Sequence, residues 1–240
     1  MNLGIESKVA LVTGGARGIG KAIVQALSAE CRTVYYTSRD ESAAEALQGE
    51  NRIYWGPNLP PGHQPFDILV NNIGHQCEVT DPHAPIEDWR RVVSVNVDYA
   101  VEMSRRALQI MKKRGWGRIV NIGSLGGHEQ QGPWQYCAAK AALSAYTRCM
   151  GRTLASEAPG VVMSTVLPGV VVTEGGHWDE VQRTDPARAK RYLAERCPLG
   201  RFGTVDEIAP AVAFLCSRHA SFCHGAIWTV DGGQARGFNW

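Results

Sequence analysis

Seven short β-rich runs, with segments of helical spacing between them, constrain this chain more than anything else in it. The runs are residues 8–13, 33–37, 52–55, 66–71, 118–122, 161–167 and 226–230. Helical spacing marks 18–29, 41–47, 86–114, 135–157 and 205–217, while 175–195 is polar and partly helical. In the first of these, Ile19, Ile23, Ala26 and Leu27 share one face. Runs such as 8–13 and 66–71 are apolar without alternation, which suits strands buried on both faces. Strands alternating with helices imply a parallel sheet covered on both sides, so an α/β, doubly wound architecture is expected. No repeat, low-complexity segment or linker interrupts residues 1–240, and a single domain is expected.

A chain of 240 residues, 44% apolar and 20% charged, can bury a full core. Its net charge of +2 sets up no global field toward nucleic acid or an anionic membrane. The basic run 111–118 lacks the aromatic interleaving of a nucleic-acid module and reads as a solvated helix end entering a turn. No stretch approaches the roughly 18 apolar residues of a membrane span. Seven cysteines (Cys31, Cys77, Cys137, Cys149, Cys197, Cys216 and Cys223) are odd in number and show no CxxC pair. They are expected to be reduced thiols in a cytoplasmic protein, and residues 1–15 lack the pattern of a secretory signal. No metal site is expected, because His128-Glu129 has no second histidine at zincin spacing.

The turn after the first strand reads Thr13-Gly-Gly-Ala-Arg-Gly-Ile-Gly20. Gly14, Gly18 and Gly20 let backbone approach a bound group closely, and the following helix aims free N–H groups and its positive dipole end at an anion. The spacing G-x-x-x-G-x-G differs from the G-x-G-x-x-G of the commonest dinucleotide fingerprint. Tyr136 and Lys140 lie four apart on an expected helix and share a face. Ser124 follows a strand, at the carboxyl edge where open α/β sheets bind ligands. Asn96 falls on the apolar face marked by Trp89, Val92, Val93, Ala100, Met103 and Ala107. A buried amide there needs a hydrogen-bond partner or an ordered water.

With Asn71-Asn72-Ile73-Gly74, Pro168-Gly169, Thr173 and Asp231-Gly232-Gly233, these pieces resemble the short-chain dehydrogenase/reductase family in its shorter-subunit branch, 3-oxoacyl-ACP-reductase-like. They occur in the family's order and span nearly the whole chain. The resemblance implies a Rossmann-type fold and an NAD(P)-dependent oxidoreductase interconverting a ketone and a secondary alcohol. It implies Tyr136 as general acid/base, Ser124 on the substrate oxygen, Lys140 on the nicotinamide ribose, and Asn96 holding a water that joins Lys140 to solvent. A phenol of pKa about 10 must fall about three units to act near neutrality, roughly 4 kcal/mol. An ammonium about 4 Å away at effective dielectric ~20 contributes about as much, so one lysine is expected to suffice. The implied cofactor contacts are Gly14, Arg17, Gly18, Ile19, Gly20, Ser38, Arg39, Asn58, Leu59, Asn72, Gly74, Tyr136, Lys140, Pro168, Gly169, Val171 and Thr173. A homodimer or homotetramer pairing the 86–114 and 135–157 helices is implied as well, and the C-terminal 238–240 segment reaches a neighbouring subunit or frays.

NADP(H) is favoured over NAD(H). Ser38 stands where NAD-preferring relatives usually carry Asp, and Arg39 and Arg17 provide two guanidinium groups for a 2′-phosphate. The opposing reading has both arginines solvated and Asp40 taking the ribose. Between Asn58 and Asp67 the chain is too short for the family's usual helix. Nine extended steps reach about 30 Å, against a crossover of about 22 Å, so a helix-free path is expected there, with Pro60, Pro61 and Pro65 favouring extension. Tyr54, Trp55 or neighbouring helices would then cover the sheet. His75, Gln76, His128, Glu129, Gln130, Gln131, Trp134, Glu174, His177, Trp178, Asp179 and Glu180 are expected to line a polar substrate pocket. A small hydroxylated substrate is favoured. The alternatives are a 3-oxoacyl-thioester reductase and a non-catalytic cofactor-binding protein. His63 and His219 are read as surface residues.

Overall fold

All seven strands lie parallel in one sheet of order β3-β2-β1-β4-β5-β6-β7. The structure, a computed structural model, describes residues 1–49, 51–54, 56 and 66–237. The strands are β1 (Val9–Val12), β2 (Thr33–Tyr36), β3 (Arg52–Tyr54), β4 (Ile68–Asn71), β5 (Gly117–Ile122), β6 (Val161–Pro168) and β7 (Ile227–Val230). The helices are α1 (Gly18–Ser28), α2 (Glu41–Leu47), α3 (Ile86–Val93), α4 (Tyr99–Arg114), α5 (Trp134–Glu157), α6 (His177–Thr184), α7 (Pro186–Arg196) and α8 (Val205–Cys216). The chain winds outward from β1 to β3, then returns to place β4 on the other side of β1. That reversal of direction is where an open α/β sheet offers a crevice for a ligand.

Every residue of β1, β4, β5 and β6 is buried, which accounts for their unbroken apolar runs. Successive side chains still alternate in direction. Ala10 and Val12 join Ile23, Leu27, Val212 and Leu215 beneath α1 and α8. Val9 and Leu11 join Met103, Met111 and Leu154 beneath α4 and α5. A smaller apolar group, Val181, Ala189 and Phe202 with Trp178 and Tyr192 against it, holds α6 and α7 together above the carboxyl edge.

The helix expected over 86–114 is interrupted. Residues Ser94–Asp98 form a π-helical turn in which the Tyr99 amide donates to Ser94 O, five residues back. Periodicity alone does not distinguish such a turn, because both flanking helices keep the same buried side. The expected helix-free crossover lies in residues 57–65, outside the described residues, together with Asn58, Leu59, Pro60, Pro61, His63 and Pro65. Trp55 and residues 238–240 lie outside them too. Among the described residues no helix stands between β3 and β4.

Five polar side chains tie the interior together beneath the crevice. Asn71 Nδ2 donates to Asn121 Oδ1 at 2.8 Å and to Ser104 Oγ at 3.0 Å. Asn121 Nδ2 and Thr165 Oγ1 each donate to Thr147 Oγ1 at 2.8 Å, and that hydroxyl donates onward to Leu143 O. The network pins β4, β5 and β6 to α5 just below the strand ends. Thr147→Val would leave two buried donors without an acceptor and is expected to cost about 1–3 kcal/mol. Thermal denaturation checks this, with a loss of roughly 2–4 °C per kcal/mol for a chain of this size.

Candidate active site

The loop from Thr13 to Gly20 lies at the switch point and packs against the end of β4. Asn72 Nδ2 donates to both Thr13 O and Gly14 O at 3.0 Å, and its backbone N–H donates to Thr13 Oγ1. Gly14 takes φ +64°, a left-handed conformation open to glycine at no steric cost. At Gly20 a Cβ would stand 2.2 Å from Gly14 O, so only glycine lets helix α1 start this close to the loop. The start of α1 carries neither a side-chain cap nor an acidic residue in its first turn. Its free N–H groups face the crevice and favour an anion.

Gly74, just beyond β4, marks the point where the candidate residues meet. A Cβ there would lie 2.5 Å from Asn96 Oδ1 and 2.6 Å from Lys140 Nζ. Asn96 is fully buried, and its Nδ2 donates at 2.8 Å to His75 O and to Val92 O. Val92 O is the carbonyl that an ordinary helix would pair with the Asn96 backbone amide, so the side chain serves the disturbed turn. Its Oδ1 has no hydrogen-bond partner among the described residues. Lys140 is equally buried and donates to Ile122 O at 2.9 Å. Gly74→Ala is expected to push these two groups apart, costing about 1–3 kcal/mol of stability. Turnover should fall alongside a folded circular-dichroism spectrum, and wild-type turnover would show that their spacing is unimportant.

Ser124 begins a short 3-10 turn, accepting from Gly126 N at 3.1 Å, and its hydroxyl hydrogen-bonds the Tyr136 phenol. Lys140 Nζ lies 5.7 Å from the Tyr136 ring centroid, one helical turn along α5. Burial pushes the phenol above its ordinary value, and the Ser124 hydrogen bond lowers it by less. Burial likewise depresses Lys140 from 10.5 to about 8. The expectation that one lysine suffices to acidify the phenol is therefore corrected. Withdrawing both groups from water opposes charging either one, and this outweighs the ammonium in the free protein.

Three joined cavities run along the carboxyl edge. The first, of about 890 Å³, is bounded by Gly14, Arg17, Ser38, Arg39, Asn72 and Gly74. The second, of about 300 Å³, is bounded by Ile19, Gly20, Asn72, Gly74, Tyr136, Lys140, Pro168, Gly169, Val171 and Thr173. Gly18 adjoins it through Thr173, whose methyl a Gly18 Cβ would approach to 3.2 Å. The third, of about 880 Å³, shares Ser124 and Tyr136 and opens under α6 and α7. Every implied cofactor contact among the described residues thus borders this one continuous crevice. Arg17 is not free in it but ion-paired with Asp40, which also caps α2 by accepting from Ala43 N.

Of the polar residues expected to line the substrate pocket, His75, Gln76, Gln130, Gln131, His177 and Trp178 do so. His128, Glu129, Trp134, Glu174, Asp179 and Glu180 do not. Glu129 accepts instead from the Gly237 amide at 2.7 Å, Asp179 accepts from Gly175 N, and Trp134 is exposed. Arg188, Tyr192 and Arg196 line the cavity and were not among the expected residues. Their i, i+4, i+8 spacing on α7 was the available signal.

Residues 62–235 match the family described as enoyl-(acyl carrier protein) reductase, and residues 8–54 match short chain dehydrogenase. The chain is 35% identical to a 3-oxoacyl-(acyl-carrier-protein) reductase of Vibrio cholerae, over 97% of this chain and 99% of that one. The protein belongs to the short-chain dehydrogenase/reductase family. As a member of it, the chain is an NAD(P)-dependent oxidoreductase acting on a carbonyl or alcohol. Two solved structures extend the likeness. One is a 3-oxoacyl (acyl-carrier-protein) reductase of Agrobacterium tumefaciens with NADP bound, at 29% identity and TM-score 0.87, covering 97% of this chain and 96% of that one. The other is L-sorbose reductase of Gluconobacter frateurii with NADPH and L-sorbose, at 25% identity and TM-score 0.88, covering 99% and 100%.

No helix of the described residues is long and apolar enough to cross a membrane, and among them no group of three ligating side chains could hold a metal ion. All seven cysteines are free.

Proposed function

We propose that this protein is an NADP(H)-dependent oxidoreductase interconverting a ketone and a secondary alcohol on a small polar substrate, with Tyr136, Ser124, Lys140 and Asn96 as its working residues. The observation that carries this reading is the meeting of Asn96 Oδ1 and Lys140 Nζ at Gly74, one helical turn from a tyrosine already hydrogen-bonded to Ser124. A protein that had lost activity would have no reason to keep all four in register, which counts against a non-catalytic role.

The residues present fit a dinucleotide. An uncapped helix start stands above a glycine cradle, and a buried Asn96 oxygen waits for a donor. Gly14, Arg17, Gly18, Ile19 and Gly20 would hold the pyrophosphate, and Asn72, Gly74, Pro168, Gly169, Val171 and Thr173 the nicotinamide end. When bound, the nicotinamide supplies or takes the hydride at the carbinol carbon. In reduction Tyr136 gives its proton to the carbonyl oxygen, to which Ser124 also donates. Lys140 would hold the ribose hydroxyls of the bound cofactor, and Asn96 Oδ1 would anchor a water through which Lys140 exchanges protons with solvent. Burial keeps the phenol of the free protein protonated at neutral pH, the form that reduction needs. Lowering its pKa for oxidation needs positive charge beyond that of Lys140, and an oxidised nicotinamide carries it.

Ser38 and Arg39 border the first cavity, and the Arg39 charge is felt at His75 and Cys77 across its mouth. A 2′-phosphate there would recruit Arg39 and compete with Asp40 for Arg17. The two NADP-bound and NADPH-bound relatives support the same preference. Ser38→Asp is expected to reduce the preference for NADPH over NADH by about 10- to 100-fold, read as the ratio of kcat/KM values. An unchanged ratio would mean that the 2′ position is read elsewhere.

The amides, hydroxyls and imidazoles around the third cavity favour a hydroxylated substrate. The second reading, reduction of a 3-oxoacyl thioester, is favoured by the Vibrio cholerae relative, and a higher kcat/KM on an acetoacetyl thioester than on polyols would promote it. We further propose a cytoplasmic homodimer or homotetramer. The exposed alanines 138, 141, 142 and 145 on α5 would permit close pairing with a second copy. Light scattering measures the stoichiometry.

A further inference from the structure

We infer that the substrate carries an anionic group, a carboxylate or a phosphate ester, held on the α7 side of the third cavity by Arg188 and Arg196. The inference rests on the proposed function and names the substrate class of that same site.

Arg188, Tyr192 and Arg196 succeed one another at intervals of four along α7, so their side chains descend one face of the helix, and all three line the cavity that contains Ser124 and Tyr136. The cations sit at either end of an aromatic wall. The Arg188 guanidinium lies 6.0 Å from the Trp178 ring, and Trp178 packs 4.1 Å from Tyr192. The Arg196 charge in turn acts on the Tyr192 hydroxyl, which accepts from Gln234 Nε2 at 3.0 Å. Neither arginine has a carboxylate partner among the described residues, although Arg17, Arg91, Arg105, Arg106, Arg114 and Arg201 all do.

Among the described residues no Asp or Glu lines the cavity itself. The nearby carboxylates are engaged elsewhere, Glu129 with the Gly237 amide, Asp179 with Gly175 N, and Asp185 as the cap of α7. Burial and the Arg39 charge hold His75 below its ordinary value, so the arginines are the fixed charges of the cavity. Two guanidinium groups with no carboxylate partner among the described residues, facing a cavity that no described carboxylate lines, select an anion, and their fork geometry matches carboxylate or phosphate. The apolar group of Val181, Ala189 and Phe202 joins α6 to α7, on which the two arginines are carried.

The test uses the full chain with NADP+ and three probes. D-gluconate and D-glucitol differ at one terminal carbon, carboxylate against hydroxymethyl, and glucitol 6-phosphate presents the phosphate. The expected result is a higher kcat/KM on gluconate or on the phosphate than on glucitol. Arg188→Gln and Arg196→Gln should each cut that selectivity ratio by about 10- to 100-fold. Lys190→Gln removes the same charge from the opposite face of α7 and should leave the ratio as it was. A readout independent of turnover is the rise in melting temperature of the NADP+ complex on adding the anion, which Arg188→Gln should abolish. A ratio near one, an equal loss in the Lys190 variant, or a neutral 3-hydroxybutyryl thioester preferred over every anion would overturn the inference. Binding of NADP(H) with turnover of none of these probes would overturn it too, while leaving the proposed function standing. Failure to bind either dinucleotide would remove both.

Discussion

Tyr136→Phe is expected to lower kcat by about 10²- to 10⁴-fold while NADPH still binds within a few-fold of wild type. The ring stays, so its packing beside α3 and the π turn is kept, and only the hydroxyl is lost. With it goes the one group that both hydrogen-bonds Ser124 and stands a helical turn from Lys140. Ser124 remains to polarise a carbonyl oxygen but has no proton relay behind it. Turnover and a fluorescence titration with NADPH measure the two quantities separately. A variant retaining more than about a tenth of wild-type kcat would leave the phenol without the role given to it here.

Lys140→Met should separate activity from stability. Turnover is expected to fall by at least about 10²-fold, since the variant removes both the cation beside Tyr136 and the ribose contact. The free protein should nevertheless become more stable at pH 7. The folded chain holds this lysine near 8, against 10.5 when it is solvated. Between those values the unfolded chain binds more protons, so wild-type stability rises with pH through that window. Below it, burying the ammonium costs about 3 kcal/mol, less what the Ile122 carbonyl returns. The melting temperature of Lys140→Met should therefore exceed wild type by several degrees at pH 7, with the gap closing as pH climbs past about 10. A gap that does not narrow with pH would mean that the gain has another origin. Stability given up at one buried charge is a common mark of a working site.

The sheet and its winding were legible in the chain because parallel strands leave a coarse signal: runs buried on both faces, punctuated by glycine and separated by helical spacing. Asn96 could be found for the opposite reason, as a polar residue out of place on an apolar stripe. The π turn that carries it was not legible, since one extra residue in a turn leaves the buried pattern of Val92, Ala100, Met103 and Ala107 nearly intact. Asn71 and Asn121 are polar residues inside apolar strands, but their link through Thr147 to Thr165 depends on which strands become neighbours. The ion pair of Arg17 with Asp40 depends in the same way on the β1–β2 pairing. Polar loops were hardest of all. Glu129 and Gln130 are adjacent, yet one turns to the Arg236–Gly237 backbone and the other to the cavity. Neither composition nor spacing encodes that choice.

The π turn also limits how this chain can change length. Deleting one residue from 94–98 would heal the turn into ordinary helix and lift a local penalty. Everything downstream would stay in phase, since the wider turn already absorbs the residue that a regular helix would have converted into a rotation of about 100°. Met103, Ala107 and Met111 would keep to the sheet, but the turn that presents the Asn96 amide at Gly74 would be gone. A one-residue deletion elsewhere between Pro85 and Gly115 has no such slack and would swing the apolar face away from the sheet. Among natural variants of this protein, a gap in this stretch should therefore fall within 94–98 or not at all, and one at 94–98 should leave a folded protein with an impaired site.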